Sequence, residues 1–251
     1  MKKRYELFDS LRGLVLISMI LYHGTWDLVY MFGKEWSWYH GTGAYLWQQS
    51  ICWSFILLSG FCWSMGKQPL KRGLMVFGGG LIITFVTLLF MPENRVVFGV
   101  LTLIGSCMLL MIPLHNGFKS LMPVIGLIGS VVLFLITRNV NDGYLGFEGL
   151  NIVKLPESLY RGLVMTYLGF PHKGFYSTDY FSLIPWLFLF CAGYFLYHLL
   201  QNKKYVFLWK KVFTKGIKPL SFMGRHSLII YLLHQPVIYG VLTSLAMFGI
   251  L

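Results

Sequence analysis

The sequence predicts an all-α protein, a polytopic bundle of about seven transmembrane helices with short interfacial helices. Three observations predict it: the composition, the long apolar runs and the distribution of Lys and Arg. Of 251 residues, 56% are hydrophobic and 12% are charged, and the mean hydropathy is +0.65. A soluble domain would carry about twice that charged share. The apolar runs follow one another along the whole chain, so we expect a single membrane-embedded domain over residues 1–251.

The spans are located by apolar length, because lipid offers the backbone no hydrogen-bond partners and each crossing must therefore be helical. The predicted spans are 11–32, 44–66, 73–91, 96–114, 121–137, 181–200 and 221–249. The first run exceeds the apolar part of a signal peptide and no small-residue cleavage site follows it, so we expect it to be retained. The segment 157–170 is too short to cross and contains Glu157 and Arg161. We expect it to lie along the outer surface or to enter the membrane part way.

The basic residues predict the orientation. With the N-terminus in the cytoplasm, thirteen of them fall in inner segments: Lys2, Lys3, Arg4, Lys67, Lys71, Arg72, Lys119, Lys203, Lys204, Lys210, Lys211, Lys215 and Lys218. Six fall in outer segments: Lys34, Arg95, Arg138, Lys154, Arg161 and Lys173. This asymmetry follows the positive-inside rule, so we expect the plasma (inner) membrane, a cytoplasmic N-terminus and a C-terminus outside. The net charge of +12 then reflects topology rather than nucleic-acid binding, which needs a soluble basic face.

The stretch 204–215 predicts an amphipathic helix on the inner leaflet. Apolar residues recur there at helical spacing with lysines elsewhere: Tyr205, Leu208, Trp209 and Val212. Such a face binds anionic lipids, so membrane lipids are expected partners.

The cysteines lie inside predicted spans without the spacing of zinc ligands, and we expect no metal site.

Polar residues at membrane depth are the functional candidates, because an ionisable group there is costly. At 100° per residue, three ionisable residues fall within about 60° of Arg12 on the first helix: Asp9, His23 and Asp27. A carboxylate four residues after His23 can orient the imidazole and fix its tautomer. This stripe predicts a catalytic His23–Asp27 pair. The alternative is a set of hydrogen bonds that only holds helices together.

The last predicted span carries a second polar site. Its sequence GRHSLIIYLLHQP places His234 near the middle of the span, two residues before Pro236. Pro236 leaves one carbonyl without its helical donor. His234 is therefore either a functional group or the polar neighbour that satisfies this carbonyl.

Asp179 lies at the predicted outer lip of the membrane, just before the sixth span. Together with Ser177 and Thr178 it is expected to cap that helix. Many aromatic residues flank it, and aromatic faces beside a carboxylate suit a sugar. An interfacial aromatic belt would have the same composition.

Several of these stretches resemble a known family. FDSLRGLVLISMILYH, the Trp-rich outer turn and SGF at 59–61 resemble the start of the transmembrane acyltransferase superfamily. DYFSLIPWLFLFCAGYFL and PLSFMGRHSLIIYLLHQPVIYG resemble its bacterial branch similar to heparan-α-glucosaminide N-acetyltransferase. The resemblance covers nearly the whole chain. It implies transfer of an acetyl group from cytoplasmic acetyl-CoA to an amino sugar or sugar of a glycan at the outer face.

The resemblance implies two candidate catalytic histidines. Arg12–Gly13 matches the family's Arg-Gly, and His23 stands where sugar O-acetylating relatives carry a His. His40, in WSWYHGTG, stands about where lysosomal-type relatives carry theirs, although Gln48–Gln49–Ser50 replaces the Asp of that pattern. The full set of catalytic candidates is His23, Asp27, His40, Asp179 and His234.

The resemblance also implies a donor site at the inner helix ends. The candidates for binding the anionic phosphates of acetyl-CoA are Arg12, Lys71, Arg72 and Arg225. Ordinary anchoring under the positive-inside rule would place the same residues. A neutral His would act as general base or carry the acetyl group itself.

Two other function classes remain open at this point. A proton-coupled small-molecule transporter also uses histidines, carboxylates and a Pro-broken helix, but the sequence shows no inverted repeat. A non-catalytic membrane scaffold is the third class, and binding of acyl-CoA separates the enzyme from both. For either kind of protein, a homodimer is one of the expected partners.

Overall fold

The structure is a computed structural model that describes residues 5–201, 205 and 207–251. Its α-helices are α1 (Glu6–Tyr30), α2 (Thr42–Trp63), α3 (Pro69–Phe90), α4 (Val100–Phe118), α5 (Pro123–Ile136), α6 (Gly162–Leu168), α7 (Leu183–Leu200), α8 (Lys218–Arg225) and α9 (Ser227–Met247). A β-hairpin is formed by β1 (Tyr144–Phe147) and β2 (Leu150–Lys154). Short helical turns cover Ser37–His40, Pro92–Asn94, Val140–Asp142, Glu157–Leu159 and Leu208–Val212.

Five of the described helices are long and apolar enough to cross a membrane: α1, α3, α4, α7 and α9. The helix α5 is apolar but has 14 residues, which span about 21 Å against a hydrocarbon core of about 30 Å. The helix α2 has 22 residues, but Gln48 and Gln49 lower its hydropathy. The predicted helical membrane protein is therefore confirmed, while five of the seven predicted spans meet this criterion.

The mostly helical structure also contains a small two-stranded hairpin that the sequence does not predict. β1 pairs antiparallel with β2, and a bulge lies between Leu145 and Gly146. Gly146 has a φ of +148°, and a Cβ there would overlap a backbone oxygen of β2, so glycine alone fits the bulge. The strands have four and five residues, and β2 is exposed along its whole length. No alternating apolar pattern therefore marks them in the sequence.

The last predicted span, 221–249, consists of two helices. Between α8 and α9 lies His226, whose φ of −103° and ψ of 22° leave the helical range. Helical hydrogen bonding resumes where the Ile230 N–H donates to the His226 carbonyl at 3.0 Å. The helix α9 then runs through Pro236 without ending.

The chain's contacts group into two compact units, the first of which comprises residues 1–55 and 203–251. In this unit α1 packs against α8 and α9. Gly13 and Gly224 permit the approach of α1 to α8, because a Cβ on either would overlap a backbone oxygen of the other helix. The close approach of α8 therefore explains why the Arg12–Gly13 motif has a glycine at its second position.

The interfacial segment 204–215 is only partly as predicted. Trp209 is buried, and its ring centroid lies 4.8 Å from that of Tyr5. Val212 is 43% exposed while Phe213 is buried, because Leu208–Val212 form a turn wider than an α-helix and rotate the apolar face.

Several basic residues used for the orientation lie outside the described residues: Lys2, Lys3, Arg4, Lys203 and Lys204.

The second unit comprises residues 56–202. In it α3 packs along α4, and α5 packs along α7. A Cβ on Gly126 would overlap the ring of Phe195, so this glycine sets the approach of α5 to α7. The hairpin and α6 lie in the connection between α5 and α7. The predicted spans and orientation leave this connection, residues 138–180, as a large outer segment.

Candidate functional site

Two helices of the first unit bring four polar side chains together. The Gln235 Nε2 donates a hydrogen bond to Asp27 Oδ1 at 2.6 Å. The ring centroids of His23 and His234 lie 4.8 Å apart. Asp27 is fully buried, and His234 is 9% exposed. These four residues, His23 and Asp27 on α1 with His234 and Gln235 on α9, are called the α1–α9 cluster below.

His234 has one ring nitrogen bound and one free. Its Nδ1 is hydrogen-bonded to the Tyr231 carbonyl oxygen. A carbonyl only accepts, so Nδ1 carries the hydrogen and Nε2 presents a lone pair. The carbonyl that Pro236 leaves without its donor belongs to Leu232. Of the two alternatives for His234, the one in which its ring satisfies this carbonyl is therefore not what the structure shows.

Three buried polar atoms of the α1–α9 cluster have no hydrogen-bond partner within the described ranges: Asp27 Oδ2, His234 Nε2 and Gln235 Oε1. Leaving such an atom unpaired costs about 1–3 kcal/mol. All three accept hydrogen bonds. The cluster therefore suits a bound group that donates them, such as a hydroxyl, an amine or water.

The expected hydrogen bond between His23 and Asp27 is absent from the described part of the chain. Asp27 Oδ1 accepts from Gln235 instead, while His23 makes ring contacts with Tyr22 and His234. The two residues share a face of α1, as their spacing predicts. The carboxylate nevertheless turns to α9, whose position the spacing does not reveal.

The inner end of the α1 stripe is occupied by structural contacts. Arg12 Nη1 lies 3.5 Å from Asp9 Oδ1 and donates to the Gly224 carbonyl at 3.3 Å. The guanidinium therefore ties α1 to α8. This role accounts for the motif's arginine without any ligand.

The remaining donor-site candidates differ in whether their side chains have partners within the protein. Arg72 Nη1 donates to the Trp63 carbonyl at 3.4 Å, where it meets the C-terminal end of α2. Lys71 and Arg225 are exposed, and among the described residues neither has a hydrogen bond or an ion pair. These two cations are therefore the ones available to a phosphate.

His40 ends the Trp-rich turn and is exposed. Its Nδ1 lies 3.4 Å from Tyr30 Oη, and within the described residues its ring contacts are with Tyr30 and Tyr39. Tyr39 is buried and packs 5.5 Å from the ring of Tyr22, and burial raises the pKa of its phenol. No hydrogen bond or ring contact joins His40 to the α1–α9 cluster in the part of the chain that is described.

Asp179 belongs to the second unit and caps a different helix from the one predicted. Its Oδ2 accepts from the Val100 N–H at 3.2 Å, at the first residue of α4. The sixth span, α7, begins only at Leu183. Burial raises the pKa of Asp179 to about 6, although the hydrogen bond from Val100 opposes this shift.

The aromatic residues near Asp179 pack largely on one another. The ring of Phe175 lies 6.2 Å from that of Phe98 and 5.0 Å from that of Tyr180. Tyr176 is 49% exposed, with the Arg95 guanidinium 5.4 Å from its ring centre. This packing supports the interfacial alternative, since rings that contact each other offer less surface to a sugar.

Gln235 is the site residue that the sequence analysis missed. The sequence feature that could have identified it is a neutral amide directly after His234 in an otherwise apolar helix, where an unpaired polar group is costly.

Among the described residues, no group of three or more His, Cys, Asp and Glu side chains is placed to hold a metal ion.

Comparison with known proteins gives one match. The family model described as heparan-alpha-glucosaminide N-acetyltransferase, catalytic, matches residues 4–236. The matched segment contains every residue of the α1–α9 cluster. No curated protein and no solved structure gives a significant match.

Proposed function

Because the chain belongs to the family of the heparan-alpha-glucosaminide N-acetyltransferase catalytic domain, we propose that it acetylates an amino sugar or sugar of a glycan with cytoplasmic acetyl-CoA as donor. Membership confirms the resemblance seen in the sequence and implies a membrane acyltransferase. The donor, the acceptor and the placement in the plasma membrane with a cytoplasmic N-terminus belong to the proposal.

The α1–α9 cluster is the observation that supports the proposal most. It brings two histidines within ring contact of each other on two apolar helices. Their neighbours Asp27 and Gln235 are joined by a hydrogen bond, which holds α9 to α1 beside the imidazoles. Burial at such a site excludes water, and excluding water protects a thioester from hydrolysis.

The reaction needs little beyond positioning and proton transfer. The acceptor's nitrogen or oxygen attacks the thioester carbonyl carbon, the new C–N or C–O bond forms and the C–S bond breaks. Coenzyme A leaves as a thiolate, and the proton lost by the acceptor returns to that sulfur. A neutral imidazole of His23 or His234 is suited to carry this proton.

Lys71 of the second unit and Arg225 of the first are separate candidates for binding the donor's phosphates. Both are exposed and have no partner among the described residues, whereas Arg12 and Arg72 are engaged in contacts with backbone carbonyls. His40 and Asp179 are kept as candidate contacts of the acceptor at the outer face. Neither has a contact with the α1–α9 cluster among the described residues.

The purified protein should transfer radiolabel from acetyl-CoA to an acceptor panel of glucosamine-terminated and neutral saccharides. We expect label in the acceptor and an equal amount of free thiol. Adenosine should not stabilise the protein thermally as acetyl-CoA does. If acetyl-CoA neither binds nor is consumed, while a solute crosses vesicles with protons, the transporter function is favoured instead.

A further inference from the structure

His234 differs from the other histidines of the chain in having a fixed tautomer and a buried free nitrogen. Because Nδ1 donates to the Tyr231 carbonyl, the lone pair is on Nε2. That atom is buried and has no partner among the described residues. A ring with these two properties is ready to accept a proton from a bound group.

The two other candidate histidines lack one or both properties. His23 has no hydrogen bond in the described structure, so nothing there selects its tautomer. His40 is exposed and its Nδ1 faces a phenol hydroxyl, which can donate or accept. The tautomers of His115 and His198 are not fixed either. Their rings are hydrogen-bonded to the hydroxyls of Tyr194 and Ser64, which can donate or accept.

We propose that His234 is the catalytic base of the acetyl transfer and that its Nε2 takes the proton from the acceptor. The proposal rests on the proposed function. As the acceptor attacks the thioester carbon, its N–H or O–H proton moves to Nε2, and the Tyr231 carbonyl stabilises the imidazolium through Nδ1–H. The imidazolium then returns the proton to the leaving thiolate, so His234 ends neutral.

Gln235 acts in this scheme as a positioning residue. It follows His234 on α9, and its hydrogen bond to the fully buried Asp27 fixes this part of α9 against α1. The ring of His23 faces His234 from α1 at 4.8 Å between centroids. His234 is thereby held from two sides, by its own helix and by α1.

The substitution His234→Asn tests the assignment. Asparagine can place its amide NH₂ near the position of Nδ1 and keep the hydrogen bond to Tyr231, but it has no atom in place of Nε2. We expect a wild-type melting temperature and acetyl-CoA binding, with kcat reduced by about 10²–10⁴-fold. The acid limb of the pH profile of kcat/KM should also disappear.

His226→Asn is the matched control, because His226 Nδ1 is also hydrogen-bonded to a backbone carbonyl oxygen, that of Phe222 in α8, at 2.9 Å. His226 is exposed, so its variant should keep wild-type rates. If His234→Asn folds and turns over within about threefold of wild type, the assignment to His234 is wrong while the proposed function stands. Absence of transfer by the wild type would contradict both.

The tautomer provides a readout that does not depend on activity. In protein labelled with ¹⁵N-histidine, His234 and His226 should each give a resonance pair with a protonated Nδ1 and an unprotonated Nε2, and His234→Asn should remove one pair while His226→Asn removes the other. If the His234 ring instead carries its hydrogen on Nε2, the proposal is overturned. If His234→Asn fails to fold, His226→Asn identifies the other pair and the remaining one is assigned to His234.

Discussion

At the scale of single residues, Asp27 shows how a polar side chain can be buried completely in an apolar helix. Its Oδ1 accepts from Gln235 at 2.6 Å while its Oδ2 has no partner within the described residues. The carboxylate therefore has one structural oxygen and one available to a ligand. We expect the free energy of folding to depend on the first oxygen and the binding of an acceptor to depend on the second.

Two substitutions separate these contributions. Asp27→Asn keeps an acceptor for the Gln235 amide, so its melting temperature should stay near that of wild type. Asp27→Ala leaves Gln235 unpaired and should lower the free energy of unfolding by about 1–3 kcal/mol. Thermal unfolding in detergent measures both. Equal destabilisation by the two variants would mean that the negative charge, rather than the hydrogen bond, matters for stability.

The sequence identifies the individual site residues better than their partners. The rule that ionisable groups are costly at membrane depth selected His23, Asp27 and His234, and the structure brings all three into one cluster. It could not reveal that Asp27 pairs with Gln235, which is 208 residues away. Such a pair depends on how α9 packs on α1, and local periodicity carries no information about that packing.

At the scale of elements, hydropathy predicted the long helices because each must satisfy its own backbone in lipid. Shorter elements were missed for a physical reason in each case. The hairpin has an exposed strand without alternation, and the apolar run 221–249 does not mark the break at His226 between α8 and α9. The contact between α1 and α8 needs glycine on both helices, at Gly13 and Gly224.

The α1–α8 contact gives a prediction about stability. Gly224→Ala would push a methyl group into the Asp9 carbonyl oxygen and separate Arg12 from the Gly224 carbonyl. We expect a loss of about 1–3 kcal/mol in the free energy of unfolding, as for other overpacked contacts. Gly240→Ala on α9 is the control, because nothing lies within 4 Å of its Cβ position. Equal stability of the two variants would show that α8 does not pack closely on α1.

At the scale of the whole molecule, the proposed function requires a donor and an acceptor on opposite faces of one membrane. Five described helices are long and apolar enough to cross, and the proposed function has the donor enter from the face predicted to be cytoplasmic. That orientation is a prediction from the distribution of basic residues in the sequence. We call this requirement sidedness: the donor must be on one face of the membrane and the acceptor on the other. Measuring it tests the predicted topology, the donor site and the acetyl transfer together.

Sidedness of acetyl transfer in proteoliposomes tests this property most directly. Labelled acetyl-CoA is supplied on one face only, and a membrane-impermeant glucosamine oligosaccharide on the other, in vesicles sorted by accessibility of a cysteine introduced at exposed Lys67, four residues before Lys71. We predict labelled oligosaccharide only when the donor is on the Lys71 face, and none with His234→Asn. Label appearing only in oligosaccharide on the donor's own face, or unchanged acetyl-CoA in both arrangements, would contradict the function proposed for this protein.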